Sequence, residues 1–346
     1  MSLVVIDADV LGRRRTGDET HVRNLLRTLP DPAAAAGLRL AAVTRRPDLV
    51  PCGIEAIELR ARSQELRMAW TLPRLLRRLG ADLVHTQYAA ALRAPCPVVV
   101  TIHDLSFENA ALMPFRDRLV FRSVVPRSAR AAARVLTVSE RTKSDLVARY
   151  ALAPEKVVVT PNGVDPVFHP RATPGDDPSN SPVVGQYALV VGAIQGRKNQ
   201  RAALGAAREV GLELVVVGPT KDGAVADELR RGGARLEGYV SDERLAALYR
   251  GAACLVQPSL HEGFGLPVVE AMASGIPVVT LPDPALLEVV GDAAVVVEEA
   301  DLADGIRRAL AERESLVAAG LARAATFSWE ETARATVRVY REALDR

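Results

Sequence analysis

Two glutamates, Glu262 and Glu270, are separated by seven residues in the stretch HEGFGLPVVEAMASGIP, residues 261–277. A helix that only supports a core needs a cap and an apolar face, but it does not need a glycine on each side of Phe264. Glycine lets the backbone approach a ligand closely, and the N–H groups at a helix N-terminus suit an anionic or hydroxyl-rich group. Carboxylate oxygens accept hydrogen bonds and can bind vicinal hydroxyls. The stretch therefore predicts a ligand-binding loop.

The elements around this loop must position it. The apolar run ACLVQPS, residues 253–259, predicts a buried strand, and Leu266 followed by Pro267 predicts the start of a helix, because proline is tolerated at the first helical position. Ligands of parallel α/β sheets bind beyond the carboxyl ends of the strands, where this loop would lie. A structural reading stays open, in which Glu270 interacts with the helix dipole and Glu262 is a solvated loop residue.

Similar apolar runs recur along the chain and alternate with helical segments. Because they lack strict alternation of polar and apolar residues, they predict strands buried on both faces, as in parallel sheets covered by helices. They lie at residues 3–7, 38–44, 81–87, 97–104, 134–139 and 156–163, and again at 187–192, 212–218, 234–240, 253–259, 277–280 and 293–298. The predicted fold class is therefore α/β, with two successive parallel sheets.

A segment rich in proline and short polar residues, RATPGDDPSNSP at 171–182, predicts a linker between the two sheets. We therefore expect one domain over residues 1–170 and a second over 183–327, since 346 residues usually form more than one core. The last segment, 328–346, predicts an amphipathic helix with Ser328 as its N-cap. Two such sheets imply a cleft between the domains.

The composition is that of an ordinary soluble globular protein, with 49% hydrophobic and 25% charged residues. A net charge of +2 gives no reason to expect a nucleic-acid partner. The three cysteines, Cys52, Cys96 and Cys254, form no metal or disulfide pattern, which fits a reducing compartment. No signal peptide or membrane-spanning segment is recognisable. We therefore expect a cytoplasmic protein.

Two cations and a histidine also follow predicted strands. Arg197 and Lys198 come after the strand at 187–192, where they could neutralise a diphosphate. His103 lies at the end of the strand at 97–104 in the first domain. The alternative for the Arg–Lys pair is a solvated loop, and a lone histidine is more often a buried structural residue than a catalytic one.

Together these motifs resemble the signature of glycosyltransferase family 4, whose members are retaining enzymes of the GT-B architecture with two facing Rossmann-like domains and a deep cleft. The resemblance covers nearly the whole chain. It rests on EGFGLPVVEAMASGIPVV (262–279), HDLSF (103–107), SERTKSDL (139–146), VVVTPNGVD (157–165), GRKN (196–199) and FSWEETA (327–333). It implies that the first domain binds an acceptor, that the second binds a nucleotide-sugar donor, and that the helix at 328–346 crosses back to the first domain.

The resemblance also assigns roles in the donor loop. Glu270 would hold the donor ribose, and Glu262 would bind the transferred sugar and phosphate together with the backbone amides of Phe264, Gly265 and Leu266. It implies a front-face mechanism, in which a donor phosphate oxygen accepts the proton of the acceptor.

Outside the donor loop, the resemblance makes His103 a catalytic residue together with Glu262. Arg197, Lys198 and Gly17 would bind the donor phosphates. The cations would stabilise the leaving diphosphate.

The nucleotide base is expected near Gly238 and Tyr239. Many relatives carry an arginine where this chain has Ala193, and Arg197 could supply the missing charge. Asp18 and Glu19 replace the small or apolar residues common after Gly17 in the family, so they would either face a polyhydroxylated acceptor or cap the following helix.

No metal or other cofactor is expected. The triplet Asp7-Ala8-Asp9 imitates the metal-binding Asp-x-Asp of another glycosyltransferase architecture, but it lacks the matching context. The other histidines show no metal-ligand spacing; they are His21, His85, His169 and His261.

Two basic segments, 67–79 and 115–134, predict amphipathic helices that could contact anionic lipid at the inner face of a membrane, although a solvated helix face is the simpler reading. Their arginines include Arg67, Arg74, Arg77, Arg78, Arg116, Arg118, Arg122, Arg127 and Arg130.

Several activities compete. A nicotinamide-dependent oxidoreductase is disfavoured, because the chain contains no G-x-G-x-x-G. A sugar-nucleotide epimerase and a non-catalytic sugar-nucleotide-binding protein remain alternatives. The favoured function is a hexosyltransferase that uses GDP-mannose, or next UDP-glucose, because TIHDLSF and GRKN most resemble mannosyltransferases. The acceptor would be a glycan, a lipid-linked sugar or a small hydroxylated molecule.

Overall fold

The computed structural model describes residues 1–13, 17–61, 63–109, 115–171 and 186–345, with only the backbone for 115–117. The chain divides into two compact units, which we call unit 1 (Met1–Gly163 with Trp329–Arg346) and unit 2 (Val164–Ser328). The division after Gly163 lies a few residues before the expected domain end at 170. Of the expected linker at 171–182, only Arg171 falls within the described residues.

The described residues form thirteen β-strands. They are β1 (Ser2–Asp7), β2 (Leu38–Thr44), β3 (Glu55–Glu58), β4 (Leu83–Gln87), β5 (Val98–Thr101), β6 (Arg134–Thr137), β7 (Val157–Val159), β8 (Tyr187–Val191), β9 (Glu213–Val217), β10 (Arg235–Gly238), β11 (Cys254–Gln257), β12 (Val278–Thr280) and β13 (Val295–Val296). Twelve of them match the predicted apolar runs. The exception is β3, an edge strand whose side chains are mostly exposed, so it lacks the apolar run that revealed the others.

The α-helices of the described residues are α1 (Gly17–Thr28), α2 (Pro30–Ala35), α3 (Gln64–Leu66), α4 (Leu72–Leu79), α5 (Phe115–Ala131), α6 (Glu140–Tyr150), α7 (Gln200–Val210), α8 (Gly223–Arg231), α9 (Asp242–Gly251), α10 (Leu266–Ala273), α11 (Pro284–Val290), α12 (Leu302–Ala311), α13 (Arg313–Ala324) and α14 (Trp329–Leu344). A π-helical segment, Arg67–Thr71, joins α3 to α4. No helix in the described ranges is long and apolar enough to cross a membrane.

Unit 1 is built on one parallel sheet with the strand order β3-β2-β1-β4-β5-β6-β7. Its side chains alternate between two buried layers: Val4 and Ile6 pack with α1, α2 and α14, whereas Leu3 and Val5 pack in the opposite layer with α4. Helices α5 and α6 extend that second layer over β5 and β6. The sheet is therefore buried on both faces, as the apolar runs predicted.

The last helix, α14, completes the first of these layers. It begins directly after Ser328, and Ala333, Val337, Tyr340 and Ala343 are all buried on one face, as predicted. Nδ1 of His85, in β4, lies 2.7 Å from the Tyr340 hydroxyl oxygen, and the two groups share a hydrogen bond. The end of the chain is thus part of the core of unit 1.

Unit 2 has a second parallel sheet, with the order β10-β9-β8-β11-β12-β13. Alanine, valine and leucine side chains of α7, α8 and α12 pack on one face of this sheet. In both units the strand order reverses beside the first strand, between β1 and β4 and between β8 and β11. The carboxyl edge beside such a reversal is where α/β sheets bind ligands, so each unit has a candidate ligand-binding edge of its own.

One residue of the basic segment 67–79 does not belong to a basic surface. Arg67 is buried, and its guanidinium forms ion pairs with Asp7 and Asp9 at the end of β1. A buried arginine must be paired, because an isolated charge in the core is very costly. The prediction that Arg67 contributes to a lipid-facing surface is therefore wrong.

Gly218 is a position that only glycine can occupy. Its φ is +145°, and a Cβ atom there would lie 2.2 Å from the backbone oxygen of Gly192, in the loop after the neighbouring strand. We predict that Gly218→Ala lowers the free energy of unfolding by about 2–4 kcal/mol, because the variant combines a strained backbone with a clash. Chemical denaturation measures this loss.

Gly205→Ala in α7 is the matched control, since a Cβ there meets nothing within 4 Å. It should raise stability by about 0.5–1 kcal/mol, because glycine is unfavourable inside a helix. Equal effects of the two substitutions would contradict the steric argument.

Candidate functional site

The loop after β11 is held in shape by one glycine. Gly265 precedes α10 with a φ of +110°, and a Cβ there would lie 2.5 Å from Leu286 Cδ2. Helix α10 starts at Leu266 with Pro267 in its first turn, as the sequence predicted. The backbone of Phe264, Gly265 and Leu266 therefore lies at a helix N-terminus.

Glu262 is not a solvated loop residue. Its side chain is buried, with 7% of the residue exposed, and it lies against Lys198, which is 9% exposed. Lys198 Nζ donates to Glu262 Oε1 at 2.5 Å, and Gln257 Nε2 donates to the same oxygen at 2.7 Å. Arg197 Nη1 lies 3.8 Å from Glu262 Oε2 and donates to the His261 carbonyl oxygen at 3.0 Å. The structure thus brings both predicted cations to the predicted carboxylate.

The charge of Glu262 is stabilised by these neighbours. Burial on its own would raise the pKa of this carboxyl, but attraction to Lys198 and Arg197 and hydrogen bonds from Lys198 and Ser259 lower it to about 2. The carboxylate is therefore ionised at neutral pH. Because an ammonium group has three N–H donors, Lys198 can bind Glu262 and still donate to a ligand.

Sequence reasoning missed the residues that support Glu262. Gln257 is the last residue of β11, and Asp283 caps α11 by accepting from the amides of Ala285 and Leu286 at 3.0 and 3.2 Å. Asp283 Oδ2 also accepts from the Glu262 amide at 3.3 Å. The Asp-Pro pair at 283–284 is an N-cap signal that could have revealed the helix start. The contact with Glu262 has no signal in the sequence.

Glu270 is buried in the second turn of α10, with its Oε2 accepting from the Tyr249 hydroxyl at 2.9 Å. Burial, together with the nearby carboxylate, raises the pKa of Tyr249 well above its usual value, so the hydroxyl remains a donor. A defined hydrogen-bond partner and a buried position distinguish Glu270 from a surface residue that only interacts with the helix dipole.

Gly238 and Tyr239 lie at the carboxyl end of β10. Gly238 has a φ of +70°, and its carbonyl oxygen accepts from the Gly218 amide at 2.8 Å. The Tyr239 residue is 50% exposed. Ala193, where relatives carry an arginine, is buried, and its carbonyl oxygen accepts from Gln200 Nε2 at 2.9 Å.

In unit 1, His103 follows β5 and is buried beside the end of β4. His103 Nε2 lies 2.8 Å from Gln87 Oε1. Because this oxygen can only accept, Nε2 carries the proton and Nδ1 is left as an acceptor. Burial lowers the pKa of His103 to about 4, so the imidazole is neutral at pH 7. It can accept a hydrogen bond from a hydroxyl group.

His21 lies beside His103, although no sequence pattern pointed to it as a site residue. Its ring packs edge-on against His103 with centroids 4.7 Å apart, and its Nδ1 lies 2.7 Å from Asn162 Oδ1 in the PNGVD motif. Burial and the neighbouring His103 lower the pKa of His21 to about 3. His21 thus packs beside the candidate catalytic histidine as a second neutral ring.

Gly17 is the first residue of α1, and Asp18 and Glu19 lie in its first turn. Glu19 Oε1 accepts from the Gly12 amide at 2.7 Å, which ties the loop after β1 to the helix. The Gly12 amide lies in the loop before α1, so this contact positions the loop and leaves open whether Asp18 and Glu19 cap the helix or face an acceptor. Residues 14–16 of the same loop lie outside the described part of the chain.

The Asp-x-Asp triplet has arginine partners. Asp7 pairs with Arg67, and Asp9 pairs with Arg13 and with Arg45, whose Nε and Nη2 lie at 2.9 and 3.0 Å from its two carboxylate oxygens. Within the described ranges, no group of three or more His, Cys, Asp or Glu residues is arranged to hold a metal ion.

Comparisons with known proteins match both units. Residues 15–168 match Glycosyltransferase Family 4, and residues 176–322 match Glycosyl transferases group 1. O-antigen chain mannosyltransferase B of Escherichia coli is 33% identical over 271 residues, which cover 70% of this chain and 70% of that protein. The chain belongs to glycosyltransferase family 4. This family 4 glycosyltransferase is also 35% identical over 276 residues to MMP alpha-(1->4)-mannosyltransferase of Mycolicibacterium hassiacum, covering 72% of this chain and 66% of the relative.

The fold of the glycosyltransferase is shared by solved structures. Sucrose-phosphate synthase from Thermosynechococcus elongatus aligns with a TM-score of 0.76 at 21% identity, covering 99% of each chain. The parallel sheets of the two units and this likeness confirm the predicted α/β fold of the GT-B class.

The ion pair of unit 2 yields a prediction for pH dependence. Lys198→Met leaves Glu262 buried without its main partner, so we expect a loss of about 3–5 kcal/mol of unfolding free energy at pH 7. The wild-type contribution of Glu262 is present above its unfolded pKa and is lost as pH falls through about 4 to 2, because its folded pKa is lowered. In the variant the folded pKa rises, so the difference from wild type narrows as pH falls from 7 to 3. Urea denaturation of both proteins at several pH values measures this difference in unfolding free energy.

The double variant Lys198→Met/Glu262→Gln is the control for this experiment. It removes the buried charge as well as its partner, so it should be more stable at pH 7 than Lys198→Met alone. A difference between Lys198→Met and wild type that is constant with pH would show that Glu262 is not the group responsible.

Proposed function

We propose that this glycosyltransferase transfers a hexose from a nucleoside-diphosphate sugar to a hydroxyl group, with retention of the anomeric configuration and without a metal ion. The observation that carries the proposal is the cluster of buried Glu262 and Lys198 with the partly buried Arg197 beside the N-terminus of α10. It combines fixed positive charge with a helix N-terminus, and both favour an anionic diphosphate.

The donor is assigned to unit 2. Lys198 and Arg197 bind the diphosphate, and the backbone at Gly265 and Leu266 supplies further donors. Glu270 accepts hydrogen bonds from the ribose hydroxyls, since one of its oxygens is oriented by Tyr249 and a carboxylate has further acceptor sites. The base lies near Tyr239, whose exposed ring can stack on it.

The favoured donor is GDP-mannose, with UDP-glucose next. Two relatives above 30% identity are named as mannosyltransferases, which supports mannose over glucose. Other relatives near 32% identity are named D-inositol 3-phosphate glycosyltransferases, which supports acceptors that are small hydroxylated molecules as well as glycans.

In the proposed reaction, the bond between the anomeric carbon and the donor phosphate oxygen breaks while the acceptor oxygen bonds to that carbon on the same face. The acceptor proton passes to the departing phosphate oxygen. Negative charge grows on the diphosphate as the sugar leaves, and the fixed cations Lys198 and Arg197 stabilise it. Glu262 keeps the Lys198 ammonium in position.

His103 is proposed to accept a hydrogen bond from a substrate hydroxyl. Its neutral state and its free Nδ1 acceptor follow from burial and from the contact with Gln87. His21 packs against the ring and restricts its orientation. Such positioning contributes to rate by keeping the reacting groups aligned.

The first test of the function is donor binding. Calorimetry with GDP-mannose, UDP-glucose, and the corresponding dTDP and ADP sugars should show binding of one nucleotide class, with an affinity unchanged by EDTA. Glu270→Gln should weaken this binding by about tenfold or more, because a hydrogen bond between a charged group and the ribose is lost.

Glu314→Gln, an exposed position on α13, is the matched control and should bind as wild type does. Once the donor is known, NMR of the transferred sugar should show the anomeric configuration of the donor. Inversion would contradict the front-face mechanism, and conversion of the donor sugar without an acceptor would favour the epimerase.

The role of His103 gives a separate prediction. His103→Gln should lower kcat for transfer about 10- to 100-fold while the dissociation constant of the donor stays within about twofold of wild type, because the lost hydrogen bond is made mainly in the transition state and the donor is held by residues of unit 2. His169→Gln, in unit 2, is the control. Unchanged kcat in His103→Gln would leave this histidine as a structural residue only.

A further inference from the structure

A cavity of about 630 Å³ opens on unit 1 between α5 and α6. Arg122, Arg127 and Arg130 line it from α5, and Arg149 lines it from the last turn of α6. Its volume falls in the range of small-molecule sites, about 300–1,000 Å³. None of these arginines belongs to the proposed donor or catalytic residues.

The lining carries a net positive charge. Four arginines line the cavity against one acidic residue, Glu108, and that carboxylate is already engaged. Arg122 Nε lies 3.1 Å from Glu108 Oε2, and the Tyr150 hydroxyl donates to Glu108 Oε1 at 2.8 Å. In the part of the chain that the structure describes, Arg127, Arg130 and Arg149 have no carboxylate within ion-pair distance. Three positive charges therefore remain uncompensated.

Backbone contacts hold two of these arginines in place. Arg127 Nη1 donates to the Ser123 carbonyl oxygen at 2.5 Å, and Arg130 Nε donates to the Tyr150 carbonyl oxygen at 3.3 Å. Each of these contacts uses one N–H group of a guanidinium that has five. The remaining N–H groups are available to a ligand, and the side chains lose less entropy on binding because they are already anchored.

We propose that this cavity binds a phosphate-bearing ligand, either a phosphomonoester or a diphosphate. Guanidinium groups match phosphate oxygens in bidentate geometry. A diphosphate carries about three negative charges and balances the three uncompensated arginines, and a phosphomonoester carries about two and balances most of their charge, whereas one carboxylate would balance only one. The site goes beyond the proposed function, since none of its arginines is among the residues assigned there to the donor or to the reacting hydroxyl.

The ligand can come from two sources. A soluble phosphate compound would use the arginines alone. A phospholipid headgroup would also use the apolar rim, because Leu119 lines the cavity and is 60% exposed, and its neighbour Val120 is exposed as well. The shared chemistry is the phosphate group, and the experiments separate the two sources.

The first experiment is a calorimetric titration of the full-length protein with inorganic pyrophosphate at low ionic strength. We expect Arg127→Gln/Arg149→Gln to weaken binding at least about tenfold, since each substitution removes a charge-assisted hydrogen bond. Arg334→Gln/Arg338→Gln on α14 removes the same charge from the other layer of unit 1 and should bind within about twofold of wild type.

Three results would overturn the proposal. The first is no binding of pyrophosphate by the wild type. The second is an equal loss in both double variants, which would mean general attraction to positive charge. The third is a loss that occurs in Arg197→Gln and not in Arg127→Gln/Arg149→Gln, which would assign the binding to the donor site of unit 2. Circular dichroism on each variant confirms that it is folded.

The second experiment identifies the source of the phosphate. Sedimentation with phosphatidylcholine vesicles, with and without phosphatidic acid, measures binding to a lipid phosphomonoester. Binding that requires phosphatidic acid and is lost in Arg127→Gln/Arg149→Gln supports a lipid source. Pyrophosphate binding by the cavity without any vesicle binding supports a soluble source.

Discussion

Moving the Glu262 carboxylate and the Lys198 ammonium out of water costs several kcal/mol per ion, and their attraction offsets this only when the geometry is good and other hydrogen bonds are made. In unit 2, the order of the strands in the sheet provides this geometry. Lys198 follows β8 and Glu262 follows β11, which are neighbouring strands at the point where the strand order reverses. Gln257 and Asp283 then bind the same loop from β11 and α11. The charge that the proposed chemistry needs is therefore fixed before any donor arrives, which reduces the reorganisation required during reaction.

Unit 1 also buries polar side chains at the carboxyl edge of its sheet, but these side chains are neutral. His103 lies beyond β5 and meets Gln87 at the end of β4, so neighbouring strands again bring two polar side chains together. Burial keeps His103 and His21 uncharged rather than paired with carboxylates. The two units thus place different chemistry at the same edge of the same kind of sheet: fixed charge in unit 2 and neutral hydrogen-bonding rings in unit 1.

The sequence predicted those features that depend on local pattern. Strands buried on both faces appear as apolar runs, and the start of α10 appears as Leu-Pro after a glycine. Edge strand β3 was missed because its side chains are exposed, and Arg67 was misplaced because the helical pattern does not reveal the acidic residues that meet it. Partners far apart along the chain, such as His21 and Asn162 or Tyr249 and Glu270, could not be predicted, since one sequence does not report which distant residues meet. Their contacts are set by tertiary packing.

The core of unit 1 has a consequence for the order in which the protein forms. A ribosome completes residues 1–163 long before α14, yet Tyr340 and its neighbours fill one layer of that core. Until α14 docks, the early part of the chain therefore exposes apolar surface. During this time unit 2 is synthesised and folds as a unit of its own. Folding of unit 2 brings its own two ends together, since the Val164 amide donates to the Phe327 carbonyl oxygen at 3.3 Å. This contact turns a long flexible loop into a short one, so much of the entropy cost of docking α14 is already met once unit 2 has folded.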